Sequence, residues 1–226
     1  MAEILGYWGG DERGNNFSVP RQDFPICVPI ASQTLHAVGV ASALQYRKIP
    51  QAVVTVVGDG GTSRGDFYES MNLAGVWQLP VVFVVNNNGW AISVPVAQQT
   101  HAKTFAQKGI AAGVPSAQVD GNDVIAVQYA VQNALEKARQ GGGPSLIEAL
   151  THRMGDHTTA DDARRYRDEA VWTQYQTLDP IMRLKTYLET QKAWDNAQEQ
   201  AYKDHCLAEI TAAVARGADV PFSMET

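Results

Sequence analysis

Apolar residues along this chain fall into two patterns: short, unbroken β-branched runs, and longer stretches that repeat every three or four positions. Gln51–Val57 stops at Gly58, and Val81–Val85 follows Pro80; such runs read as parallel strands buried on both faces. Between them, residues 65–78 put Phe67, Met71 and Ala74 at helical spacing, which predicts a strand, helix, strand unit. A third strand is expected around Ala117–Val119. It leads through Asp120 and Gly121 into a helix from about Asp123 to Arg139, with Val124, Val127, Val131 and Leu135 on one face. Gly141–Gly143 end that helix, and Ser145–Leu150 reads as another buried strand. The alternation predicts an α/β fold, a doubly wound parallel sheet with right-handed crossovers.

The flanks are less regular. Residues 1–30 are rich in Gly, Pro, Asn and Asp and read as loop. Ser32 is expected to cap a helix running to about Tyr46, in which Ala37, Gly39, Ala41 and Ala43 permit close packing. The stretch from Thr151 to Asp168 has no apolar period and reads as a long loop of the functional or mobile kind. From Asp179 and Pro180, a cap followed by proline at the first helical position, the remainder reads as helices ending near Gly217. The expected organisation is an α/β domain over residues 1–178 with a helical C-terminal extension over 179–226.

Composition narrows the classes. A chain of 226 residues that is 45% hydrophobic and 19% charged can bury one sizeable core. Its formal charge of −6 and the lack of a basic stripe argue against a nucleic-acid partner. Cys27 and Cys206 stand far apart and outside any CxxC spacing, so neither a disulfide framework nor a zinc knuckle is indicated and a reducing cytoplasm fits. No basic segment precedes an apolar core at the N-terminus, and VVTVV and VVFVV are too short to span a bilayer. The expectation is a cytoplasmic protein with no membrane span.

Chemistry concentrates in Gly58–Trp90, where a Gly-Asp-Gly follows one strand and an Asn pair follows the next, so both lie at strand C-terminal ends. Ligands bind at that edge in open α/β sheets, and a glycine-rich turn entering a helix offers backbone N–H groups to a diphosphate. Asp59 and Asn88 are 29 positions apart, enough for a helix and a return strand to bring a carboxylate and an amide oxygen to one edge. Magnesium takes about six hard oxygens, commonly one or two from side chains with phosphate and water for the rest. Asp59, Asn88 and a backbone carbonyl near Trp90 suit it. A bare Gly-Asp-Gly is common in turns; the spacing, the strand context and the Asn pair make this one specific.

Gly-Asp-Gly followed about thirty residues later by Asn-Asn resembles the thiamine diphosphate motif, and the segment between is similar to α subunits of the decarboxylating component of 2-oxo acid dehydrogenase complexes, pyruvate dehydrogenase-like. The resemblance runs from about Asp11 to Ala215 and is closest in NNFSVPRQDFPICVPIASQTLHAVGVA, GDGGTSRGDFYESMNLAG and GDHTTADDARRYR. It implies thiamine diphosphate and magnesium as cofactors, with Gly58, Gly60, Gly61 and Asn86 lining the cofactor side and Val28 and Ile30 packed against the aminopyrimidine. It implies His157 beside the reactive carbon, where an imidazole can move protons near neutrality. Without the resemblance, Ile30 reads as core and His157 as a solvated loop residue. Arg153, Arg164, Arg165 and Arg167 read as ion-pairing or loop-ordering groups.

The resemblance further implies oxidative decarboxylation of a 2-oxo acid with acyl transfer to lipoamide. The partners would be a β subunit in an α₂β₂ assembly and a lipoyl-bearing acyltransferase, with activity only when the β subunit is present. Pyruvate is the preferred substrate and branched-chain 2-oxo acids the alternative. Family α subunits carry a segment ahead of this chain's first residue, including an arginine on the diphosphate, so the N-terminal part is expected to be missing. A non-catalytic assembly subunit of the same fold is the other alternative. A Rossmann dehydrogenase fits poorly, because no GxGxxG with a following acidic residue appears after Val57.

Overall fold

The computed structural model describes residues 6–10, 24 and 27–218. Most of the loop expected over residues 1–30 lies outside them; of those described, residues 6–8 form a helical turn. The described residues belong to two compact units, one within Pro29–Leu184 and one within Met1–Val28 and Lys185–Thr226.

In the Pro29–Leu184 unit the chain runs α1 (Ser32–Tyr46), β1 (Val53–Gly58), a 3-10 turn (Asp59–Ser63), α2 (Gly65–Trp77) and β2 (Val81–Asn87). It continues through a ribbon, β3 (Trp90–Ala91) and β4 (Val94–Pro95), to the short helices α3 (Val96–Gln99) and α4 (Lys108–Ala111). Then come β5 (Ser116–Asp120), α5 (Val124–Arg139), β6 (Ser145–Leu150) and α6 (Glu169–Gln176), and α7 (Pro180–Thr190) follows. Four strands form one parallel sheet in the order β1-β2-β6-β5, while β3 and β4 pair antiparallel.

Helices pack on both faces of the sheet, although the second face is covered over β2 and β6 but not over β1. Ala37, Val38 and Ala41 of α1 and Phe67, Met71 and Ala74 of α2 pack with Val57, Val81, Phe83 and Val85, and Phe67 meets Phe83 edge-on at 6.2 Å. Ala130, Val131, Ala134 and Leu135 of α5 cover Val82, Val84, Ile147 and Ala149 on the other face. The predicted helix faces follow the 3.6-residue period, except that Val124, expected inside, is exposed, the packed face of α5 lying further along the helix at Ala130 to Leu135.

Two expectations are corrected. β1 is not buried on both faces: it is an edge strand, and Val54 and Val56 are 42% and 54% exposed while Thr55 and Val57 point inward. Ser32 does not cap α1: the N-cap is Ala31 in a left-handed conformation, and the Ser32 hydroxyl donates to the Pro29 carbonyl. Asp179 does cap α7, its Oδ1 accepting from the N–H groups of Ile181 and Met182 at 2.9 Å. Asp168 caps α6, a helix the sequence pattern did not predict.

In the other unit, α8 (Asn196–Ala218) is the principal helix. Near its start Glu199 accepts from Trp194 Nε1 and pairs with Lys203, both at 2.9 Å. Cys27 and Cys206 are free thiols. Among the described residues no helix is long and apolar enough to cross a membrane.

Candidate functional site

The parallel register aligns Gly58 with Asn86 and Asn87 with Leu150, so β1, β2 and β6 end at one edge. Asp59 begins the turn just past β1, and Asn88 follows β2 at the same edge. Thr62 folds the turn back by donating to the Asp59 carbonyl at 2.7 Å, and Lys108 Nζ donates to the carbonyl and hydroxyl of Thr62 at 3.0 and 2.9 Å. Partial burial pulls the Lys108 pKa below its usual value.

Close packing requires glycine at two points here. A Cβ on Gly60 would lie 2.7 Å from that of Ala91, and one on Gly61 would lie 2.4 Å from Val57 Cγ2. The β1 turn therefore rests directly against the Trp90–Ala91 strand. Gly58 differs: a Cβ there would meet nothing within 4 Å, so the backbone has open space in front of it.

Asp59 is 1% exposed. Its Oδ2 accepts from Gln99 Nε2 at 2.7 Å, and its Oδ1 is buried with no hydrogen-bond partner among the described residues. A buried carboxylate oxygen without a donor is costly unless a cation or proton donor meets it. Among the described residues no group of three or more His, Cys, Asp or Glu could form a metal cage. A cation at Asp59 would therefore draw on neutral oxygens and on the ligand it accompanies.

The second turn supplies such oxygens. Asn88 Oδ1 accepts from the Trp90 N–H at 3.1 Å, and Asn87 Oδ1 accepts from Gly89, whose φ of 87° demands glycine at the corner. Asn87 Nδ2 donates to Glu148 Oε1 at 2.8 Å, while Glu148 Oε2 accepts from the Ala106 N–H at 2.8 Å. Asn86 Oδ1 accepts from Thr151 Oγ1 at 2.6 Å, joining β2 to the loop after β6.

That loop carries His157. Arg153 Nη2 donates to the Ile92 carbonyl and to Tyr166 Oη, each at 2.7 Å, and the Tyr166 ring packs on Trp90 at 5.3 Å. Tyr166 in turn donates to Asp161 Oδ2 at 2.5 Å, the oxygen that also accepts the His157 N–H at 2.8 Å. These bonds, Tyr166 first, hold the Asp161 carboxyl below its usual pKa, and the Tyr166 phenol is raised by burial and then by Asp161. Arg153 Nη1 stands 3.5 Å from His157 Nδ1. Arg167 donates to the carbonyls of Arg153, Met154 and Gly155, and Arg164 pairs with Asp162 at 2.9 Å, so three of the four loop arginines order the loop.

Asp59, Asn86, Asn88, Trp90 and the His157 loop thus share the edge where β1, β2 and β6 end. Ala31 joins them, its Cβ 3.9 Å from where a Gly61 Cβ would stand, so Ile30 enters α1 beside the glycine turn with its side chain 58% exposed. Val28 belongs to the other unit and is 71% exposed. Sequence reasoning missed Gln99, Glu148 and Lys108. A lone polar residue in a short helix or amid an apolar strand gives no periodic signal.

Residues 3–224 match the family model described as the dehydrogenase E1 component. The 3-methyl-2-oxobutanoate dehydrogenase subunit alpha of Mycobacterium tuberculosis is 45% identical over 210 residues, which are 92% of this chain and 57% of that protein. Pyruvate dehydrogenase E1 component subunit alpha is 43% identical in Acholeplasma laidlawii, over 93% of this chain and 61% of the relative. In Staphylococcus aureus it is 41% identical, over 95% and 58%. The chain spans about three fifths of the length of these curated relatives.

Proposed function

This chain belongs to the dehydrogenase E1 component family, and from that premise we propose that it binds thiamine diphosphate through Mg²⁺ and acts as the α subunit of a 2-oxo acid dehydrogenase. The single observation that carries the reading is the buried Oδ1 of Asp59, without a hydrogen-bond partner among the described residues, at the edge where the sheet's strands end. The donor set is chemically apt: one carboxylate, the Asn88 amide oxygen and the Trp90 carbonyl are hard oxygens of the kind Mg²⁺ takes, with diphosphate oxygens and water completing about six.

Each residue then has a definite task. Asp59 supplies the anionic ligand, and Gly58, with open space before its backbone, admits the diphosphate. Gly60, Gly61 and Asn86 shape the floor of the turn. Ile30, exposed at the start of α1, offers an apolar surface to the aminopyrimidine, and Val28 is assigned the same role. His157, held by Asp161 on a loop anchored to the Trp90 ribbon, moves protons at Nδ1 or Nε2. When bound, the thiazolium supplies the electron sink that decarboxylation of a 2-oxo acid requires.

The substrate class is a 2-oxo acid, pyruvate or its branched-chain homologues, with the acyl group passing to a lipoyl-bearing acyltransferase and a β subunit completing the site in an α₂β₂ assembly. The test mixes the chain, thiamine diphosphate, Mg²⁺ and either pyruvate or 3-methyl-2-oxobutanoate with an artificial electron acceptor, with and without a relative's β subunit. Turnover only with the β subunit is expected. Steady turnover by the chain alone contradicts the shared site, and none in either arm favours a non-catalytic assembly subunit.

A further inference from the structure

The hydrogen bond from Gln99 to Asp59 joins the two turns that the cofactor reading depends on. Gln99 ends α3, the short helix that follows the ribbon leaving Asn88 and Gly89, and the Val96 N–H at the start of α3 returns to the Gly89 carbonyl at 3.2 Å. Its side chain then crosses to the β1 turn, 40 residues earlier in sequence.

The amide has one chemically sensible orientation. Nε2 faces two acceptors, Asp59 Oδ2 at 2.7 Å and the Val94 carbonyl at 3.1 Å, and the flipped amide would set an oxygen against both. Both amide hydrogens are therefore spent. What remains is a pair of buried oxygens, Gln99 Oε1 and Asp59 Oδ1, neither with a donor among the described residues.

A glutamine differs from a basic residue at this position because it donates without neutralising. A lysine or arginine would cancel the Asp59 charge, whereas the amide leaves that charge available and occupies only Oδ2. The carboxylate can then give a cation one oxygen. Mg²⁺ demands near-octahedral geometry, while Ca²⁺ takes more ligands and accepts bidentate carboxylates readily.

Resting on the cofactor reading above, we propose that Gln99 is a positioning residue that presents Asp59 to the cation through Oδ1 alone and thereby sets a preference for Mg²⁺ over Ca²⁺. Removing its amide frees Oδ2 and permits bidentate binding, so Mg²⁺ affinity falls while Ca²⁺ affinity falls less or rises.

The test titrates Mg²⁺ and, separately, Ca²⁺ into the chain at saturating thiamine diphosphate, read by calorimetry, for the wild type, Gln99→Met and Gln99→Asn. The second variant keeps a polar amide but withdraws it from Asp59, in case the first does not fold. Losing such an outer partner costs about tenfold or more in metal affinity, so the Mg²⁺ constant should weaken by about that factor and the Mg²⁺-to-Ca²⁺ ratio should fall. An equal loss for both ions, or none for either, overturns the role of Gln99 while leaving the cofactor reading intact. A wild-type chain that binds neither ion with the cofactor overturns both.

Discussion

Asn87 Nδ2 and Glu148 Oε1 are joined by a 2.8 Å hydrogen bond between neighbouring strands, and the other Glu148 oxygen takes the Ala106 N–H, so one fully buried carboxylate ties the Asn turn to the segment ahead of α4. Glu148→Ala would leave both donors unpaired and a cavity where the buried carboxylate stood. It should lower stability by about 3 kcal/mol, measured by urea denaturation. Glu148→Gln keeps one acceptor but sets an amide N–H against the other donor, so an intermediate loss is expected.

The glycines of the first turn should separate by role. Gly60→Ala forces a Cβ within 2.7 Å of that of Ala91 and should cost about 1–3 kcal/mol through overpacking. Gly58→Ala meets no atom within 4 Å and has an ordinary φ of −71°, so its thermal midpoint should hold while affinity for thiamine diphosphate falls. Equal destabilisation by the two would remove the distinction.

Much of this scaffold was legible because burial and period coincide. Phe67, Met71 and Ala74 are all fully buried, as their spacing predicts, and β6 spans Ser145–Leu150, the buried strand expected there. Edge position was not legible. Val54 and Val56 look like core in a β-branched run, yet which faces are covered depends on the helices that pack there, and α5 covers β2 and β6 but not these two residues. Within the site, the sequence motif pointed to the two turns but not to Gln99, Glu148 and the Tyr166–Asp161 pair, whose partners are 40, 61 and 5 residues away and carry no repeat.

His152 should make stability depend on pH. Its ring stacks on Tyr175 at 3.8 Å, and burial first, then Arg167 and Arg153, lower its pKa from 6.5. The unfolded chain therefore binds this proton more readily. The contribution is fully present above pH 6.5 and lost as pH falls through 6.5 towards the lower folded value. Thermal melts between about pH 5 and 8 should show this slope, and His152→Gln should flatten it.

Arg153 anchors the His157 loop to the Ile92 carbonyl and Tyr166 Oη. Arg153→Lys cannot reproduce the planar fork, so amide exchange across residues 154–167 should accelerate by about tenfold, with the sheet strands unaffected. Unchanged exchange would mean that the Trp90–Tyr166 contact suffices.

The central claim is that Asp59 meets a cation that carries thiamine diphosphate. Calorimetric titration of thiamine diphosphate, with and without Mg²⁺, into the wild type and Asp59→Asn tests it most directly, because the substitution keeps the shape while it removes the charge and turns one acceptor oxygen into an N–H donor. The account predicts Mg²⁺-dependent binding by the wild type and a loss of about a hundredfold in the variant. Equal affinity in the two proteins, or wild-type binding indifferent to Mg²⁺, would contradict it.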